Sequence, residues 1–217
     1  MKDWRNRRIV ITAGPTREKL DPVRFLSNES SGRMGWALAE AAQKRGARVT
    51  LVAGPTERPS PKNVSVLAVT SARQMLAAAR KAARGAQAVV GAAAVADWRP
   101  AAFSKTKLKK NGAPPIVRLV PNPDILATLA RERKGPFPRL AGFALESANL
   151  LSNAKKKMLE KKLDLIVANS PSALGASTTR AWILRSGHAA EKFHGDKKIL
   201  ADKILDRLLE SVNAHNR

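Results

Sequence analysis

Apolar residues along the chain gather in short bursts closed by turn residues, and between the bursts they recur every three or four positions. Ile9-Val10-Ile11 is a β-branched burst ended by Ala13-Gly14-Pro15, the form of a strand buried on both faces. From Gly32 to Gly46, Met34, Leu38, Ala41 and Ala42 keep helical spacing and Gly46 stops the run. Strands are then predicted at Val49–Val52 and Val64–Val69, a helix at Ala72–Ala83, and a strand dense in Val and Ala at Ala88–Val95. After an interruption come a helix from Pro123 to Glu132, opened by Pro in its first turn, and a strand at Leu140–Ala144. A helix at Leu151–Lys162 and a strand at Leu163–Ala168 follow. This alternation predicts an α/β, Rossmann-like fold, a mostly parallel sheet with helices on both faces. Ala181–Phe193 reads as a small C-terminal hairpin, and Ile204, Leu205, Leu208, Leu209 and Val212 share one side of a last helix.

The interruption, Ala101 to Val120, carries Lys105, Lys107, Lys109 and Lys110, then Gly112, Pro114 and Pro115, and ends in a short strand at Ile116–Val120. It reads as a mobile arm or flap, and if Lys107 and Lys109 are extended they share one side. The chain has 217 residues, 44% of them hydrophobic, enough for one core, so residues 1–217 are read as one domain. No run of about 18 apolar residues occurs. Met1 to Arg8 is charged, so a cytoplasmic protein without a membrane segment is expected.

Missing residue types remove whole mechanisms. Without Cys there is no thiol nucleophile or Cys-based zinc site, and without Tyr there is no Tyr-x-x-x-Lys relay of the short-chain reductase kind. His188, His194 and His215 crowd one end, so chemistry falls to Lys, Arg, Asn, Asp and backbone amides. With 40 basic against 17 acidic residues the formal charge is +23, which favours anionic partners without choosing among metabolites, nucleotides and nucleic acid.

Ligands of open parallel sheets bind beyond the carboxyl ends of the strands. The loop after the first strand lacks both G-x-G-x-x-G and the P-loop pattern. It does place Ser30, Ser31 and Gly32 before a helix, either as a plain cap or as an anion site. After the fourth strand, Gly91, Ala92 and Ala93 would let a ring and ribose approach the backbone closely. Asp97 at that end could meet a ribose, a base or a magnesium ion, or cap a turn. Asn122-Pro123-Asp124 reads as a helix start, and Lys157 and Lys161 share one helix face.

Taken in order, ITAGPTRE, LDPVRFLSN, SSGRMG, AAAVADWRP, KLKK, NPDIL, GFALES and LDLIVANS span Ile11 to Ser170. This series resembles the phosphopantothenate–cysteine ligases, which join a phosphorylated acid to an amino acid through an acyl-nucleotide. The resemblance implies that phosphopantothenate attacks the α-phosphate of CTP, releasing pyrophosphate, and that cysteine then displaces CMP. It assigns Lys107 to acyl-nucleotide formation and Asn28 to binding the intermediate and supporting cysteine attack, with Arg24 beside it. Ser30, Ser31 and Gly32 fall with the substrate. Gly91, Ala92, Ala93, Asp97, Lys107, Asn122, Pro123, Asp124, Phe143, Lys157 and Lys161 fall with the nucleotide. It further implies Mg²⁺ or Mn²⁺, with metal ligands unassigned, and a homodimer whose sites are shared. Lys105 to Pro115 corresponds to the flexible site cover. Trp98, Pro121, Leu145 and Ser147 depart from the usual Tyr, Lys, Ala and Thr.

Many relatives carry a flavin-dependent decarboxylase in front, so this chain reads as a stand-alone ligase with a separate decarboxylase partner, or as an excised half. An idle nucleotide- or nucleic-acid-binding module is the main alternative, but aromatics are only 4% and no interleaved stacking platform is present, so no specific nucleic acid is expected. A Rossmann-type reductase, the second alternative, lacks the glycine fingerprint and the Tyr.

Overall fold

The computed structural model of the protein describes residues 3–110, 116–170 and 178–214. Gly112, Pro114, Pro115 and His215, and with them part of the expected flap, lie outside the described residues. Eight strands form the central sheet: β1 (Arg8–Ala13), β4 (Arg48–Ala53), β5 (Ser65–Ala68), β6 (Ala88–Gly91), β9 (Arg139–Leu145), β10 (Leu165–Asn169), β11 (Thr178–Arg185) and β12 (Glu191–Asp196). Their order is β12-β11-β10-β9-β6-β1-β4-β5, parallel from β10 to β5, with the β11–β12 hairpin added antiparallel at one edge. The Rossmann-like sheet and the C-terminal hairpin therefore stand as read from the sequence.

Helices α1 (Arg33–Lys44) and α5 (Lys197–Asn213) cover one face, and α2 (Ala72–Ala83), α3 (Ile125–Glu132) and α4 (Leu150–Glu160) the other. Successive strand residues serve opposite layers. Ile9 and Ile11 pack under α1 and α5, whereas Val10 packs with Met75 and Ala79 of α2. That is why β1 reads as an unbroken apolar run rather than an alternation.

The helix starts are local. Ser71 and Gln74 form a reciprocal capping box on α2, and Asp124 and Asp196 accept from the first turns of α3 and α5. Helix α3 thus begins at Ile125, and Pro123 precedes its cap instead of opening its first turn. Helix α1 starts on Gly32 at φ 69°, a left-handed conformation that suits glycine, with no side-chain cap.

Gly35 lets α1 lie against β1: a Cβ built there would fall 2.3 Å from the Ala13 Cβ. Gly35→Ala must push α1 off the sheet, so a loss of about 1–3 kcal/mol is expected, read as a drop of roughly 2–12 °C in the thermal midpoint. An unchanged midpoint would show that α1 slides without cost.

Three departures from the sequence reading matter for the site. The Ala88–Val95 strand stops at Gly91, because the chain leaves the sheet there. Two small ribbons were read only in one strand: β2 (Arg17–Lys19) pairs with β3 (Phe25–Ser27), and β7 (Trp98–Pro100) pairs with β8 (Leu119–Pro121), the strand expected at Ile116–Val120 and found to begin later. Lys107 and Lys109 lie outside every strand and are both exposed.

Candidate functional site

Connections run from β1 outward to β4 and β5, and then cross back to β6, β9 and β10 on the other side of β1. The switch in direction lies between β1 and β6, and a crevice opens beyond their carboxyl ends. Its floor is the segment 92–97, which continues beyond β6 as a loop fastened along the end of β1. The amides of Ala92 and Ala94 donate to the carbonyls of Thr12 and Gly14 at 3.1 and 2.9 Å, and the Ala96 amide donates to the Thr16 hydroxyl at 3.0 Å.

Two asparagines clamp this spine from opposite sides. Asn28, just past β3, donates its amide to the Val95 carbonyl at 3.0 Å. Asn122, just past β8, donates its side-chain amide to the Ala96 carbonyl at 2.8 Å and its backbone amide to the Asp97 carbonyl at 2.7 Å. Each ribbon thus ends in one of these clamps. The ribbon strands are three residues long and mostly solvent-facing, which is why no apolar periodicity announced β2, β3 or β7.

A cavity lies on each flank of the spine. One, of about 630 Å³, includes Asn28, Ser30, Ser31, Gly32, Ala92, Ala93 and Asp97 in its lining. The other, of about 410 Å³, includes Gly91, Asn122, Pro123, Asp124 and Lys161. Ala93, Asp97, Phe143 and Lys157 belong to both. The Lys161 ammonium sits 2.5 Å from an Asp124 carboxylate oxygen, tying the end of α4 to the start of α3. Gly91 has to be small because a Cβ there would fall 2.7 Å from a Leu126 methyl.

Two nominated residues are not among those lining these cavities. Lys107 is exposed, and Arg24 spends its guanidinium on the Asp21 carboxylate at 2.6 Å and on the Leu108 carbonyl at 2.8 Å. Conversely, Arg33 and Lys197, the first residues of α1 and α5, line the larger cavity and were not nominated. Burial, and then the neighbouring Arg33 charge, pulls the Lys197 amine below the ordinary lysine value. The Asp196-Lys197 step is legible as a helix start, but its meeting with α1 depends on long-range packing. A third cavity, sharing Asn28, Ser30, Ser31 and Arg33 with the larger one, adds Arg17 and Arg58. The whole crevice is cationic, suited to ligands carrying several negative charges.

Asp21 is fully covered. Burial alone would raise its carboxyl, but hydrogen bonds from Arg24 and from the amides of Val23, Arg24 and Leu108 outweigh this and hold it well below the usual carboxylate range. A depressed folded value stabilises the fold at every pH above the ordinary carboxylate value near 4, and that contribution fades as pH falls below it. Asp21→Asn should therefore flatten the loss of stability below about pH 4, read from urea midpoints across pH. A slope identical to that of the unmodified chain would show that the clasp holds no charge.

Residues 4–212 match the family described as DNA/pantothenate metabolism flavoprotein C-terminal domain. The chain is similar to coenzyme A biosynthesis bifunctional protein CoaBC of Haemophilus influenzae, 46% identical over 79% of this chain and 42% of that protein. It is likewise similar to CoaBC of Escherichia coli K12, 45% identical over 100% of this chain and 55% of that protein. It thus spans about half the length of the curated relatives it matches. The solved C-terminal domain of a CoaBC protein superposes with a TM-score of 0.83 at 35% identity, covering 98% of both chains. Among the described residues no helix is long and apolar enough to cross a membrane. The chain belongs to the family of DNA/pantothenate metabolism flavoprotein C-terminal domains.

Proposed function

We propose that this chain ligates 4'-phosphopantothenate to cysteine in coenzyme A biosynthesis, using CTP and passing through an acyl-cytidylate. The observation that carries the reading is the single spine at 92–97 with a cavity on each flank and Asp97, Phe143 and Lys157 common to both. A nucleotide in the Asn122, Phe143 and Lys161 cavity and an acid beside Asn28 would meet over those shared residues. Both reactants are anions. The crevice answers with cations and amide donors that hold them together and stabilise charge as it builds on the phosphate. Lys157 and Lys197 neutralise the pair from the sides, and Asn28 and Asn122 keep the spine still.

Magnesium fits the donor set. No cluster of three His, Asp or Glu forms a cage among the described residues. A magnesium ion is held by one or two carboxylates together with substrate phosphates. Asp97 and Glu29 are the carboxylates lining the larger cavity and would hold it, where it would neutralise phosphate charge.

A second copy of the chain completes the reading. Val23, Phe25 and Leu26 on the first ribbon and Trp98, Phe103, Ile116, Val117 and Leu119 around the second stay exposed, and β2 packs against β7, so the two ribbons make one apolar surface. An exposed apolar surface of this kind marks an interaction face. Lys107 leaves the same region, so in a homodimer it is offered to the partner's crevice. Ile116, 99% exposed, tests this. Ile116→Glu should convert a dimer into a monomer by sedimentation and reduce pyrophosphate release at least about tenfold, the loss expected when an assembled site is undone. A fully active monomer would overturn the shared site. A separate flavin-dependent decarboxylase would take up the product of the ligation.

The activity test is direct. The purified chain is given phosphopantothenate and Mg²⁺ with CTP or ATP, with and without cysteine. Pyrophosphate release that requires phosphopantothenate and prefers CTP is the expected result. Silence with both nucleotides would overturn the ligase reading.

A further inference from the structure

A covered carboxylate outside the cavities ties Lys107 to the first ribbon. Asp21 lies in the loop between β2 and β3 with no exposed side-chain surface. Its Oδ1 accepts from the amides of Val23 and Arg24 at 2.8 and 2.7 Å. Its Oδ2 accepts from the Arg24 Nε and Nη2 at 2.9 and 2.6 Å and from the Leu108 amide at 3.2 Å. The same Nη2 then donates to the Leu108 carbonyl at 2.8 Å. Leu108 is gripped at both its N–H and its C=O, immediately after the exposed Lys107, and the Ser104 amide donates to the Leu20 carbonyl at 3.0 Å a turn earlier.

The bonds from Val23 and Arg24 help turn the loop between β2 and β3, but those to Leu108 and from Ser104 close neither ribbon. The first is closed by its β2–β3 ladder and by the Leu20 and Asp21 amides donating to the Arg24 carbonyl at 2.9 and 3.3 Å; the second has its own β7–β8 ladder. What the clasp adds is an anchor for residues 104–108. Burying a carboxylate is costly unless it is fully hydrogen-bonded, so a clasp of this completeness on an otherwise exposed segment requires a reason.

We propose that Asp21 is a positioning residue for Lys107: through Arg24 and both backbone groups of Leu108 it fixes the point from which the Lys107 ammonium is presented. The inference rests on the role given to Lys107 in the ligase reading. An anchored backbone leaves only the side chain of Lys107 to be ordered when the acid attacks the nucleotide. Arg24, read from the sequence as a substrate residue, serves here as the second half of the clasp.

The test separates the two half-reactions. Acyl-nucleotide formation is followed as single-turnover pyrophosphate release without cysteine, and coupling is followed by adding cysteine to acyl-nucleotide made beforehand by the unmodified chain. Asp21→Asn should slow the first by about 10²-fold, the loss typical of a small misplacement. Coupling should stay within about twofold, because Asn28 has its own anchor on Val95. The variant carrying both Asp21→Asn and Lys107→Gln should be no slower than Lys107→Gln alone, since two residues acting as one unit do not multiply. Multiplying effects, or parallel loss of both half-reactions in a folded Asp21→Asn chain, would overturn the inference. If Lys107→Gln is slow and Asp21→Asn is normal, the clasp alone fails; if Lys107→Gln is itself normal, the role given to Lys107 fails first. Should Asp21→Asn melt before assay, Leu108→Pro carries the same test, removing the amide that reaches Asp21 and leaving the loop between β2 and β3 intact.

Discussion

Lys107→Gln is expected to lower phosphopantothenate-dependent pyrophosphate release by about 10²–10³-fold, the scale on which loss of one charge-stabilising donor is felt in a water-poor site. Asn28→Asp is expected to leave that release largely in place and to slow the cysteine step by about 10²-fold. The two variants differ because only Asn28 lines the crevice, while Lys107 stands outside it. Lys107 is exposed on a clasped segment, and in the ligase reading it would bring a point charge to the meeting of two anions. Glutamine stays polar but is one atom shorter and carries no charge. Asn28 holds the spine through an N–H directed at the Val95 carbonyl at 3.0 Å. An aspartate there would set a carboxylate oxygen against a carbonyl oxygen, so that flank of the spine would give way. The nucleotide flank would stay, because Asn122 grips Ala96 and Asp97 independently. Rapid quench of each half-reaction checks both variants. Equal loss at both steps in both variants would contradict the division of labour.

The sheet was legible because its burial is uniform. Ile9 to Ala13 is covered on both faces, so composition alone marks the strand, and Gly46 and the Ser71-Gln74 capping box mark helix boundaries within a few residues of chain. The crevice was legible where chemistry and strand ends coincide, as at Gly91 to Asp97 and Asn122 to Asp124. The ribbons were not, apart from the strand read at Ile116–Val120, because β2, β3, β7 and β8 bury little apolar surface and β7 finds β8 only across a long stretch of chain. Arg33 and Lys197 were missed for the same reason. Each opens a helix that is ordinary in sequence, and only the packing of α1 on α5 brings both to one cavity. Resemblance placed Lys107 with the nucleotide. The structure leaves it outside the cavities, so in the ligase reading its part would turn on a second copy of the chain.

Gly54→Ala is expected to be the most damaging glycine-to-alanine change among the described residues. A Cβ at Gly54 would fall 1.8 Å from the Pro15 carbonyl oxygen and 2.8 Å from its carbon, and backbone cannot swing aside as a side-chain tip does. The crossing is tight because the Gly54 amide donates to the Ala13 carbonyl at 2.9 Å, pulling the end of β4 against the turn that follows β1. That turn also holds the spine. Thr12, Gly14 and Thr16 supply the acceptors for Ala92, Ala94 and Ala96, so displacing Pro15 unfastens the floor shared by both cavities. Overpacking against fixed backbone costs about 3 kcal/mol or somewhat more, which for a chain of this size lowers the thermal midpoint by roughly 6–12 °C. The loss should not stop at stability. In the fraction that remains folded at low temperature, affinity for a non-hydrolysable nucleotide analogue should fall as well, because the amides of Ala92 and Ala94 are no longer held at one height. Calorimetric melting and titration of the analogue measure the two effects separately. A variant that melts early yet binds the analogue normally would show that the spine is held by the asparagine clamps alone.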